Sequence, residues 1–111
     1  MKILLLFISL LFFNDIKYPT YKGDGDLTNF IQSNLSYPED AKDLRIEGKV
    51  FVQFVVNKSG ETTKVKILNG DKSLAKEAER VTKLITWNPG EVDGKIAKVE
   101  MVLPFTFKLP K

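Results

Sequence analysis

The side chains that enzymes use most often for catalysis are scarce in this sequence. The chain has 111 residues with no histidine and no cysteine, so Ser-His or Cys-His pairs and the common zinc sites cannot be built. Its neighbouring carboxylates, Glu39 with Asp40 and Asp24 with Asp26, stand in polar stretches, where they are typical of helix caps and surface charge. The seven glycines are scattered at turns and form no phosphate-binding loop. We therefore expect no enzymatic activity, no cofactor and no metal site.

The charge distribution disfavours nucleic-acid binding. The net charge is +3, but the 17 lysines and arginines are spread along the chain instead of being grouped with stacking aromatic residues. A hydrophobic content of 43% with 28% charged residues is ordinary for a single folded domain. Because cysteine is absent, folding must rest on a packed core without disulfides.

The N-terminal stretch MKILLLFISLLFF differs from the rest of the chain. Its apolar run is too short for a membrane span, which needs about 20 residues, but it fits the core of a secretory signal. No Ala-x-Ala cleavage pattern follows, so an uncleaved anchor stays open as an alternative. We predict a signal peptide over residues 1–19, a short polar tether over residues 20–25 and a folded domain over residues 26–111.

The hydrophobic pattern of that domain predicts an α+β fold, with helices packed on a small three-stranded antiparallel sheet. Apolar residues recur at helical spacing after Asp26 and again after Asp71, whereas residues 50–56 and 98–109 alternate with a period of two. Gly60 suits the tight turn of a hairpin that follows residues 50–56. Both faces of that strand carry apolar residues, so we expect it to be central and covered on both sides. The helical stripes are Leu27, Phe30, Ile31 and Leu35, then Leu74, Ala78, Val81 and Ile85.

The only tryptophan, Trp87, lies where the second stripe ends, directly before Asn88, Pro89 and Gly90. A helix must give way there to a chain that returns to the sheet, so the ring could close the open end of the core. Stacking on a ligand is the alternative, but no other aromatic residue flanks this position. We predict that Trp87 is a buried structural wedge.

The last predicted strand combines apolar alternation with a proline in its middle. Pro104 cannot donate a backbone hydrogen bond, which confines such a residue to an edge strand or a bulge. A long apolar edge is an aggregation hazard unless something pairs with it, and extended peptides commonly add a strand at such an edge. An edge that Pro104 merely protects from pairing is the alternative.

Seven motifs in order resemble the C-terminal domain of TonB-family energy transducers, over residues 26–109. The motifs are Tyr37-Pro38 with Ala41, Arg45-Ile46-Glu47-Gly48, the alternating strand from Val50, the turn glycine Gly60, Ala78, Trp87-x-Pro89-Gly90 with Gly94-Lys95, and Pro104-Phe105-x-Phe107.

This resemblance implies a small α+β domain that works in the periplasm. It implies that the last strand pairs with an extended N-terminal segment of an outer-membrane TonB-dependent transporter, in energised transport across the outer membrane. The stretch before Tyr37-Pro38 matches a region of the family that also touches the transporter. Carried onto this sequence, the partner-binding residues are Asn34, Leu35, Ser36, Tyr37, Pro38, Val99, Glu100, Met101, Val102, Leu103, Phe105 and Phe107.

One feature departs from the family pattern. Full transducers have a membrane helix and a long proline-rich spacer, whereas residues 14–25 contain one proline, Pro19, and reach only about 40 Å when extended. The alternative function is therefore a secreted structural or adapter domain. Such a domain would form homodimers through its edge strands, or dock on another envelope protein, without transducing energy.

Overall fold

The computed structural model describes residues 15–110, so most of the predicted signal peptide lies outside the described residues. No helix within residues 15–110 is long and apolar enough to cross a membrane. The described helices are α1 (Leu27–Asn34), α2 (Glu39–Asp43) and α3 (Lys72–Leu84); the strands are β1 (Ile16–Lys17), β2 (Thr20–Tyr21), β3 (Gly48–Val56), β4 (Thr62–Asn69), β5 (Trp87–Asn88), β6 (Gly90–Val92), β7 (Lys95–Ala97) and β8 (Val99–Phe107).

The main sheet has three antiparallel strands in the order β4-β3-β8, which confirms the α+β prediction. The β3–β4 hairpin turns as predicted, with Gly60 at a φ of 83°. The Asn57 carboxamide stabilises this turn, because its oxygen accepts the backbone N–H of Ser59 at 3.0 Å and of Glu61 at 2.9 Å. In this sheet β3 is the central strand and β8 lies at one edge.

The core lies between one face of this sheet and α3. The Asp71 carboxylate caps α3 by accepting the Ser73 N–H at 2.9 Å, and the predicted stripe of the helix is buried. On the other face of β3, Phe51 and Val55 remain partly exposed, so the expectation that both faces would be covered is wrong. The buried residues of β3 are Val50, Val52, Phe54 and Val56.

Trp87 closes the end of the core, as predicted. It is only 3% exposed, and its ring stacks on Phe54 with a centroid separation of 5.6 Å. The indole N–H donates to the Thr62 hydroxyl at 2.9 Å, which satisfies the polar atom of the buried ring.

Residues 15–22 belong to the fold, which corrects the predicted domain boundaries. Ile16–Lys17 pairs antiparallel with β6, and Thr20–Tyr21 pairs with β5 in the same register. This register places Pro19 opposite Pro89, and since neither residue has an N–H, the ladder is interrupted and two short strands result. The predicted tether is therefore wrong for residues 20–22, and the predicted boundary at residue 19 falls inside a paired segment.

The close approach of this N-terminal segment accounts for Gly90. A Cβ atom at Gly90 would lie 2.7 Å from the Lys17 carbonyl oxygen and 3.0 Å from the Pro19 ring. Only glycine lets the two chains pass at this distance. Gly90, the first residue of β6, thus serves the packing of the N-terminal segment.

Candidate functional site

The free edge of β8 is the first component of the candidate site. β8 pairs with β3 along its whole length, and no described strand pairs with its other side. On β4, the Thr63 hydroxyl donates to the Val55 carbonyl at 2.9 Å. Val55 therefore directs its backbone polar groups toward β4 and away from β8.

The direction of the backbone groups of β8 follows from this contact. Glu100 lies opposite Val55, so its N–H and C=O point away from β3, toward the free edge. Because this direction alternates along a strand, Val102, Pro104 and Thr106 share the free edge with Glu100. All four are exposed, and Pro104 interrupts the row of donors. The sequence predicted an edge strand or a bulge at Pro104, and the structure shows an edge strand.

The other predicted residues of β8 occupy different positions. Their backbone groups bond to β3 and their side chains point to the core: Phe105 and Phe107 are 1% and 2% exposed. Of the residues predicted on this strand, only Glu100 and Val102 offer backbone groups to a partner. Thr106 and Pro104 were not among the predicted partner-binding residues, although the alternation of the strand places both on one edge with Val102. The predicted residues that face the core are Val99, Met101, Leu103, Phe105 and Phe107.

A groove runs between α1 and this edge of the sheet. Its volume is about 290 Å³. The helix begins where the Asp26 carboxylate accepts the Asn29 N–H at 2.8 Å, and none of its residues is fully buried. One side of it lines the groove. An extended chain laid along β8 would find backbone hydrogen-bonding groups on one side and partly apolar side chains on the other. The lining residues are Thr28, Ile31, Gln32 and Leu35 from the helical side and Pro104, Phe105 and Thr106 from β8.

The loop after α1 is fastened to α3 by an ion pair. The Glu77 carboxylate accepts the Ser36 N–H at 2.6 Å, and the Arg80 guanidinium donates to the Asn34 carbonyl at 2.6 Å. Arg80 and Glu77 also bond to each other at 2.8 Å, which holds the pKa of Glu77 below its usual value. Of the predicted residues Asn34, Leu35 and Ser36, only Leu35 lines the groove.

Tyr37 and Pro38 have structural positions rather than exposed ones. The Tyr37 ring meets Phe107 edge-on at 5.7 Å, and its hydroxyl donates to the Ile46 carbonyl. Burial raises the pKa of the Tyr37 phenol, and the nearby Glu47 carboxylate raises it further. Pro38 caps α2.

The chain that follows β8 is fixed by Glu47, which also lies near Tyr37. The Glu47 carboxylate accepts the Leu109 N–H at 2.5 Å, and the Leu109 side chain is 8% exposed. Glu47 of the Arg45-Ile46-Glu47-Gly48 motif thus fixes the chain two residues after β8, a role that the sequence gave no means of predicting.

Comparisons with known proteins agree with this architecture. A family model described as the Gram-negative bacterial TonB protein C-terminal matches residues 33–109. The solution NMR structure of the Pseudomonas aeruginosa TonB C-terminal domain is similar in fold, with a TM-score of 0.57 and 24% sequence identity. That similarity covers 87% of this chain and 89% of the other. No curated protein sequence matches the chain. Because the family model covers most of the chain, the protein belongs to the family of TonB C-terminal domains.

Proposed function

We propose that this chain is a periplasmic binding module that adds an extended segment of an outer-membrane TonB-dependent transporter to the free edge of β8. Domains of this family act in the periplasm of Gram-negative bacteria and interact with such transporters. By pairing with the transporter, the module takes part in energised transport across the outer membrane. The observation that carries the proposal is the unpaired edge of β8 beside the groove.

The geometry of this edge predicts how a partner would pair with it. Each outward-facing residue except Pro104 offers one N–H and one C=O, and each net hydrogen bond contributes about 1 kcal/mol. A partner strand must miss one bond opposite Pro104, so pairing should divide into two parts at that residue. Since backbone groups supply most of these bonds, affinity should depend little on the partner's side chains.

Proline substitutions test the direction of the backbone groups. Val102→Pro removes one outward-facing N–H. Pro104, which faces the same edge, shows that such a position of β8 tolerates proline. We expect binding of a synthetic transporter N-terminal peptide to weaken by a factor of about five, equivalent to about 1 kcal/mol, with the fold intact. Titration calorimetry measures the affinity, and circular dichroism checks the fold.

Leu103→Pro is the contrasting variant. Leu103 directs its N–H to β3, so the same substitution one residue along should break the sheet and destabilise the fold. Unchanged peptide affinity in Val102→Pro, or a stable fold in Leu103→Pro, would contradict the assignment of the free edge.

Self-association is a second candidate function, because the same edge is open to another copy of the chain. Val102 on this edge is 48% exposed, and two antiparallel β8 edges could pair around a twofold axis. Analytical ultracentrifugation should then show a dimer that Val102→Pro weakens. A monomer that binds the transporter peptide would favour the first function.

We propose further that the protein reaches the periplasm through its N-terminal signal. The support is the apolar run from Ile3 to Phe13 behind a single lysine. Cleavage is expected before Asp15, because the residues from Asp15 onward pair with the rest of the fold. Cell fractionation and sequencing of the mature N-terminus test this. A cytoplasmic protein that begins at Met1 would contradict export, and retention in the inner membrane would indicate an uncleaved anchor.

A further inference from the structure

The helix that borders the groove is weakly held by its own packing. α1 has no fully buried residue, and its apolar side chains Leu27, Phe30 and Ile31 are only partly buried. Its position must therefore depend strongly on what fixes its two ends. At the N-terminal end, the Tyr21 ring of β2 lies 5.5 Å from the Phe30 ring.

The C-terminal end of α1 is fixed by Glu77 and Arg80. The Glu77 carboxylate accepts a hydrogen bond from the Ser36 N–H, and the Arg80 guanidinium donates one to the Asn34 C=O. Leu35 lies between Asn34 and Ser36 in sequence, so the two bonds also fix the position of Leu35. Its side chain lines the groove that faces β8.

A second ion pair on α3, between Lys83 and Glu79, has no bond to α1 or to the loop that follows it. Lys83 and Glu79 bond at 3.1 Å, and their side chains are 57% and 40% exposed. In contrast, the Glu77 side chain is only 12% exposed, because the loop covers it. An exposed ion pair by itself contributes little to stability, so the two pairs differ mainly in what they hold.

We propose that Glu77 and Arg80 are positioning residues for strand binding: they hold Leu35 and the C-terminal end of α1 beside β8, and so set the shape of the groove. The consequence for affinity rests on the proposed function. The consequence for the position of α1 does not, because it concerns the free protein.

A charge-swapped variant, E77R with R80E, separates loop anchoring from the ion pair. The variant keeps an attractive i,i+3 pair on α3. It turns a cation toward the Ser36 N–H and an anion toward the Asn34 C=O, so both bonds to the end of α1 and the loop after it are lost. The matched control is E79K with K83E, which swaps the other pair without touching the loop.

Three measurements apply to each variant. In the E77R/R80E variant, we expect the Ser36 amide to exchange with solvent at least about tenfold faster, since a bond to a charged group is lost. We also expect nuclear Overhauser contacts between Leu35 and β8 to weaken, and peptide binding to fall by a factor of about five. In the E79K/K83E control, all three should match the unsubstituted protein. Glu77→Gln is a milder variant that serves if the swapped chain does not fold, and it should shift the same readouts in the same direction.

The outcomes distinguish this proposal from the proposed function. If Ser36 exchange and the Leu35 contacts are unchanged in E77R/R80E, the positioning role is overturned, whatever the peptide does. If the unsubstituted protein fails to bind any transporter peptide while these two readouts shift as expected, the proposed function fails and the positioning of α1 stands.

Discussion

At the scale of single residues, Trp87 shows how a side chain that could have bound a ligand instead completes the core. Its ring lies on Phe54 and its N–H is satisfied by Thr62, so it has neither an exposed face nor a free donor. The position in sequence, at the end of a helical stripe and before a proline-glycine turn, was sufficient to predict this. The hydrogen-bonding partner was not predictable, because it lies on β4, 25 residues away.

Trp87→Ala should lower the free energy of unfolding by roughly 3–5 kcal/mol, as large-to-small aromatic changes in a core do. Trp87→Phe should cost less, because it keeps an aromatic ring on Phe54, although it loses the bond to Thr62 and part of the buried ring area. Chemical denaturation of the two variants measures both values. Equal stability of Trp87→Ala and the unsubstituted protein, or emission from Trp87 typical of full solvent exposure in the folded state, would show that the residue is not part of the core.

At the scale of elements, the N-terminal segment is the main difference between expectation and structure. β3, β8 and α3 are long enough for a period of two or 3.6 residues to emerge, and all three were predicted. β1 and β2 have two residues each, and no period can be recognised over so short a distance. They pair with β5 and β6, which are remote in sequence.

Removal of residues 15–22 should therefore destabilise the domain, whereas removal of residues 1–14 alone should not. The first deletion eliminates the pairing with β5 and β6. It also exposes Trp87, because Tyr21 pairs directly with it. We expect a loss of about 2 kcal/mol or more in the free energy of unfolding, together with a red shift of the Trp87 emission. Identical unfolding curves for the protein that lacks residues 1–14 and the protein that lacks residues 1–22 would mean that residues 15–22 are a tether, as the sequence had suggested.

At the scale of the whole molecule, the candidate site arises where three parts of the chain meet. β8 supplies the edge, α1 supplies the groove wall, and α3 holds the C-terminal end of α1 and the loop that follows it through Glu77 and Arg80. The sequence predicted the edge, because Pro104 marks it. The alternation already places Val102, Pro104 and Thr106 on one edge of the strand, but that this edge is the free one could not be predicted, since it depends on the register between β3 and β8. The role of Glu77 and Arg80 was missed as well, because surface charges on a helix look alike until their neighbours are known.

The central claim is that an extended peptide adds to β8, and amide shifts during titration of the ¹⁵N-labelled protein with a transporter N-terminal peptide test it most directly. We expect the largest shifts at Glu100, Val102 and Thr106, smaller ones at Leu35 and Ile31 along the groove, and none on the solvent-facing side of α3. Pro104 has no amide and should divide the shifted residues into two groups. Shifts confined to α3, with none along Val99–Phe107, would contradict the account.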